Sequence, residues 1–422
     1  MKTLDSHSTG KYSSTILISP IIYFLISIGV SLQISGSNWD IVWHGVGNVE
    51  TFFTPPHSVI YSGVVLAIGS VIGGTIQAAF RIRQQKNDAT WFVLLLVPSS
   101  LPLALKLAAI GCILQLTAGP FDFLWHSLFG FDGLLSPPHS VLAVGMLTTA
   151  IGALTGIYGH YSNHYSNHSS KIKNASSLSS LFSKLSLIVG FAVFLMVAVG
   201  MVLMFTLPFS KGQYFDFNPN PLAALVAASV SIPFILGIGL FIAARISSSP
   251  IRNRIPFIFT SIVAVIMTIQ SATTITSNSY FAWLFPVYLL NIIPALVADI
   301  LIFRYSQKKK ADSLLSSQMD NAINNKLKRW YLFASVIVSI FYMTLFFPWT
   351  IDVFGGYFEP PSSLRTEQFF VQLLIPTILP SVVPVSIVSS LIGSLVAQRL
   401  INSRKLIVWL YPESGYSRKS FV

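Results

Sequence analysis

The amino-acid sequence predicts an all-α, polytopic integral membrane protein of about ten transmembrane helices, its N-terminal half built from two parallel repeats. Three observations predict it. Of 422 residues, 53% are hydrophobic and only 9% are charged, where a soluble domain carries roughly 25% charge. Mean hydropathy is +0.69, and apolar runs long enough to cross a bilayer recur along the whole chain. Lysine and arginine collect in alternate connections between those runs.

The runs fall at 14–35, 57–80, 91–117, 139–160, 182–208, 221–245, 256–276, 279–304, 330–348 and 370–398. Backbone groups in lipid must be bonded within the segment, so each run is predicted to be a helix. The first, from about Ile16 to Ile34, is followed by no small-residue cleavage site, which predicts a retained span. Pro98 and Pro102 in the third run, and Pro376, Pro380 and Pro384 in the tenth, predict kinks. The third run also carries Lys106 near its middle. A mid-membrane lysine is by default a candidate for a functional pathway.

The basic clusters lie at Lys2 and Lys11, at Arg81 to Lys86, at Lys171 to Lys184, at Arg245 to Arg254, at Arg304 to Arg329 and after Arg399. The positive-inside rule then puts both termini in the cytoplasm, in agreement with an even number of spans. The net charge of +12 follows from this topology, and nucleic acid is excluded as a partner. Membrane lipid is the expected surrounding, with subunits of a membrane complex as candidate protein partners. The single cysteine, Cys112, rules out a disulfide framework or a Cys-based metal site within one chain. This organisation predicts a duplicated four-helix region over 1–160, a cytoplasmic linker over 161–181, a six-helix region over 182–398 and a cytoplasmic tail over 399–422. His160, His164 and His168 lie four apart in the linker, whose Ser/Asn-rich text reads as a loop.

Two outward-facing segments contain related text. NWDIVWHGVGNVETFFTPPHSVIYSG begins at Asn38, and PFDFLWHSLFGFDGLLSPPHSVLAVG begins at Pro120; they align without a gap at an offset of 82 residues. Asp40 aligns with Asp122, His44 with His126, and His57 with His139. An Asp and a His four residues apart share one helix face and can point at one atom. The helix carrying them is expected to start afresh at Asn38 or Pro120, after a break at Gly36 or Gly119. Thr54 and Ser136 are placed to cap the next helices, with two prolines in each first turn. That puts His57 and His139 at the outer ends of those helices.

One carboxylate and two imidazoles form the three-ligand set used for copper, zinc or non-haem iron. The six candidate metal ligands are therefore Asp40, His44, His57, Asp122, His126 and His139. Glu50 and Asp132, also aligned, are placed to orient a ligating imidazole from behind. Each set supplies three ligands by itself, which favours two separate sites over one dinuclear centre. Without metal, the same groups would bond to one another and hold the loop.

The pattern Asp-x3-His-x12-His, with a tryptophan before the first His and a proline-led helix carrying the last, resembles the C subunit of particulate methane and ammonia monooxygenases. The resemblance covers residues 38–63 and 120–145 and implies copper as the metal. It implies ligation by Asp40, His44 and His57, and by Asp122, His126 and His139. Asp122 stands where that family's second set has Asn.

Three functions fit these readings. One is a membrane metal-site protein, oxidase-like or monooxygenase-like, acting on a small apolar or uncharged molecule. Another is a transporter or channel, whose pathway would need further polar groups such as Lys106, Gln115, Gln270, Asn291 or Asp299. The third is a non-catalytic assembly or metal-delivery factor.

Overall fold

A computed structural model describes residues 18–45, 51–85, 101–130, 136–166, 177–206, 221–247, 255, 257–277, 292–301, 332–340, 342–343, 376 and 379–402. Ten α-helices and no strand occur among the described residues. They are α1 (Pro20–Gly45), α2 (Pro55–Gln85), α3 (Leu103–Phe129), α4 (Pro137–Ser166) and α5 (Ser177–Thr206). Then come α6 (Pro221–Ser247), α7 (Ile258–Ser277), α8 (Ile292–Leu301), α9 (332–340) and α10 (Leu379–Asn402). Six of them, α1 to α5 and α10, are long and apolar enough to cross a membrane. The apolar stretches Val226–Gly239, Ile258–Ile269 and Ile292–Leu301 are shorter.

The first four helices pack as a bundle. α1 lies along α2 and α3 along α4, and α1 also meets α4 while α2 meets α3. α5 packs on α1 and α4 and also meets α6 and α7; α7 packs on α1 as well, and α10 lies along α6. This makes α5 the central element: 72% of its apolar stretch is buried, against 28% for α3. Along α3 the residues Ile110, Ile113 and Leu116 face outward, as a lipid-facing stripe does.

Lipid-facing and protein-facing surfaces are equally apolar, so close backbone approach decides which helices pair. A Cβ on Gly29 would stand 3.0 Å from the backbone nitrogen of Ala67, and one on Gly63 would stand 2.9 Å from that of Gln33. The α3–α4 seam repeats this at Gly111, 2.6 Å from the Thr149 nitrogen, and Gly145, 3.1 Å from the Gln115 nitrogen. Between the pairs, Gly74 on α2 faces Leu105 on α3, and Gly156 on α4 faces Tyr23 on α1. Serine and threonine hydroxyls along the helices, such as Ser27, Ser70, Thr75 and Thr149, donate to the carbonyl four residues back. That local bond satisfies them without water.

Several expectations are corrected. α1 runs unbroken through Gly36 and α3 through Gly119 and Pro120. Gly36 serves packing, because a Cβ there would meet Ile60 Cγ1 at 2.6 Å and the Pro56 carbonyl at 2.9 Å. A proline within a long apolar helix costs one backbone bond, which neighbouring helices tolerate. Lys106 sits in the first turn of α3, since Pro102 occupies the position before the helix. It is half-buried and near an end, rather than in the middle of a span. Helix also enters the 161–181 segment from both sides, because α4 reaches Ser166 and α5 begins at Ser177. His160 and His164 are therefore on a helix, and His168 lies outside the described residues.

Candidate metal centre

α2 and α4 begin where the local sequence directs. The backbone N–H of His57 donates to Thr54 Oγ1 at 3.4 Å, and that of His139 donates to Ser136 Oγ at 3.3 Å. The N–H groups of Ser58 and Ser140 donate to the Thr54 and Ser136 carbonyls, each at 2.9 Å. Both caps are buried, and the prolines at the first two helical positions need no donor partner. These caps fix the height and rotation of His57 and His139.

The second set converges on one carboxylate oxygen. His126 Nε2 lies 3.4 Å from Asp122 Oδ1, and His139 Nε2 lies 3.2 Å from the same atom. The three ligand atoms all lie within 4.8 Å of one another, and the imidazoles stand 5.7 Å apart at 56°. All three side chains are about a quarter exposed, so the cluster is sheltered and open at one side. In the first set, His57 Nε2 lies 3.4 Å from Asp40 Oδ1. His44 is in the last turn of α1, but its side chain lies outside the described residues, as do Glu50 and Asp132 altogether.

The two sets share one end of the bundle. Phe52, in the α1–α2 connection, packs edge-on to Phe123 of α3 with ring centroids 6.0 Å apart. His57 lies within electrostatic range of the Asp122 carboxylate. Phe53 and Phe123 are largely exposed around this mouth, and Trp125 stacks on Phe129 at 4.4 Å.

One residue sets the chemistry of His126 and was missed from sequence. Gly130 ends α3 at φ 71° and ψ −166°, a positive-φ conformation that is essentially restricted to glycine. Its N–H donates to the His126 carbonyl at 3.0 Å, and its own carbonyl accepts from His126 Nδ1 at 3.1 Å. A carbonyl only accepts, so Nδ1 carries the proton. In the neutral ring Nε2 is then a bare lone pair aimed at a carboxylate oxygen. Two acceptors face each other stably only with a cation between them, either a proton, making imidazolium, or a metal ion. Ligand atoms about 2.0 Å from one tetrahedral centre stand roughly 3.3 Å apart. The two histidine–aspartate separations, 3.4 and 3.2 Å, bracket that value, and all three ligand atoms lie within 4.8 Å of one another. A glycine four residues after His126 was the available signal for this clamp.

Of the candidate pathway residues, Asp299 has a structural task. Its carboxylate accepts from the N–H groups of Phe259 (3.1 Å) and Thr260 (2.7 Å) and from the Thr260 hydroxyl (2.7 Å). It thus caps α7 from α8. Gln115 Nε2 donates to Thr149 Oγ1 at 2.8 Å. Asn291 lies outside the described residues, as does the side chain of Gln270. The chain matches no protein-family model, no curated protein and no solved structure.

Proposed function

We propose that this chain is an integral membrane metalloprotein whose outer mouth holds metal at two sites. Asp40, His44 and His57 form one, and Asp122, His126 and His139 the other. Both termini are cytoplasmic. The observation that carries this reading is the convergence of His126 Nε2 and His139 Nε2 on Asp122 Oδ1, with His126 Nδ1 turned to the Gly130 carbonyl. A mixed imidazole–carboxylate donor set suits copper, zinc or iron. Copper is chosen on the resemblance of the motif to the C subunit of particulate methane and ammonia monooxygenases.

Two parallel repeats are part of the proposal. The contacts Gly29–Gly63 and Gly111–Gly145 differ by 82 residues at each member, as do Gly74–Leu105 and Gly156–Tyr23. In the second pair of contacts the repeats exchange roles, which supports a two-fold relation between α1–α2 and α3–α4. The role proposed is an oxidase-like or monooxygenase-like component, with the open metal position binding oxygen or a small uncharged substrate. A transporter reading has less support, since Asp299 is committed to its cap and Lys106 lies at a helix end.

Metal analysis of the chain purified in detergent tests this directly. After growth with copper, zinc and iron together, one to two equivalents of bound metal are expected, with copper predominant. Protein that binds none of the three after dialysis would overturn the reading.

A further inference from the structure

Seven residues inward from each aspartate, on the same helix face, lies a glutamine: Gln33 below Asp40 on α1 and Gln115 below Asp122 on α3. Seven residues are close to two full turns, or about 10 Å along the axis. Both side chains are buried, Gln33 at 0% exposure and Gln115 at 3%. They sit over the glycine seams: a Cβ on Gly63 would meet Gln33 Cγ at 2.9 Å, and one on Gly145 would meet Gln115 Cγ at 2.8 Å.

Their surroundings differ in one respect. Gln115 donates to the Thr149 hydroxyl, and its Oε1 has no partner among the described residues. The position equivalent to Thr149 on α2 is Ala67, which offers no polar side chain. Among the described residues neither Nε2 nor Oε1 of Gln33 has a hydrogen-bond partner. A primary amide inside a membrane bundle is costly unless both ends are bonded.

We infer that the α1–α2 seam at Gln33, and its counterpart at Gln115, each bind a small uncharged molecule that both donates and accepts hydrogen bonds. The donor of that molecule meets Oε1; at Gln33 its acceptor also meets Nε2. The glycine crossings limit it to a few heavy atoms, water being the smallest member of the class. It is uncharged because an amide cannot compensate a full charge at this depth. The site stands on the burial of the two amides and not on the metal reading. If the outer clusters do hold metal, it lies two helical turns inward of them, as the inner part of an approach for neutral molecules.

Thiol reactivity reads this out, because only the thiolate reacts and a thiol ionises only where it is hydrated. In full-length, chelator-treated protein in detergent, with Cys112→Ala as background, Gln33→Cys and Gln115→Cys are compared with Ile26→Cys. Ile26 is as buried as Gln33 and seven residues further inward on α1. Neutral methyl methanethiosulfonate should modify both cysteines at glutamine positions at least about tenfold faster than the one at 26. The trimethylammonium-ethyl reagent should react at least about tenfold more slowly than the neutral one. Should one glutamine variant fail to fold, the other decides. Rates no faster than at 26, or equal rates with the cationic reagent, would overturn the inference. Metal is absent throughout, so failure here and failure of the metal reading are separate results.

Discussion

His139→Ala perturbs the candidate centre most cleanly. The imidazole supplies one of three convergent atoms, 3.2 Å from Asp122 Oδ1, and its removal leaves Asp122 and His126 as a two-ligand site. Changing a residue that only orients a ligand weakens metal binding by about 10–100-fold. Removing a ligand outright should reach at least the upper end, on the order of 100-fold in Kd or about 2.7 kcal/mol. The helix itself should survive. The cap at Ser136 uses the backbone N–H of residue 139, which alanine retains. The assay is a competitive copper titration of purified protein against a chelator of known affinity, with a thermal melt beside it. His164→Ala, at the far end of α4, is the control that should bind as the parent does. A folded His139→Ala protein with unchanged metal content and unchanged Kd would refute the argument.

Gly130→Ala acts on the same centre through backbone strain. Its φ of 71° with ψ −166° costs a non-glycine residue about 1–3 kcal/mol, which should loosen the His126 clamp and weaken metal binding about tenfold. Gly111→Ala should lower stability by about 1–3 kcal/mol, since its Cβ would stand 2.6 Å from the Thr149 nitrogen. Gly200→Ala, which meets nothing within 4 Å, should be neutral or stabilising in the same melt. Asp299→Ala removes three hydrogen bonds at the start of α7 and should cost about 2–4 kcal/mol by chemical denaturation. For topology, cysteine at Gly133 should label with an impermeant reagent outside intact cells while cysteine at Asn87 should not. Labelling at Asn87 alone would reverse the orientation.

Features that depend on a few neighbouring residues were legible in the sequence. Thr54 and Ser136 cap helices that begin at the prolines following them, because a hydroxyl facing a proline-led first turn is a local device. The Asp122–His126 contact follows from helical period, and the proline-led helix start after Ser136 put His139 at the helix end where it meets the same carboxylate. The long apolar runs foretold long apolar helices, since a helix bonds its backbone groups within the segment.

What local signals could not decide were matters of neighbours distant in sequence. Gly36 and Gly119 read as breaks, yet α1 and α3 pass through them, because packing against other helices overrides single-residue propensity. Asp299 looked like a pathway residue until the α7 start, about forty positions earlier, proved to be what it caps. Lys106 looked central while the limits of its helix were drawn by hydropathy, and became terminal once Pro102 marked the start. The composition and period of the chain determined that it forms apolar helices, and its repeated text determined which side chains are candidate ligands. Only the tertiary structure decided which nitrogen of His126 faces the Gly130 carbonyl and which faces Asp122, and where the two buried glutamines sit. Those depend on a single backbone carbonyl and on glycine crossings between helices, which no local pattern encodes.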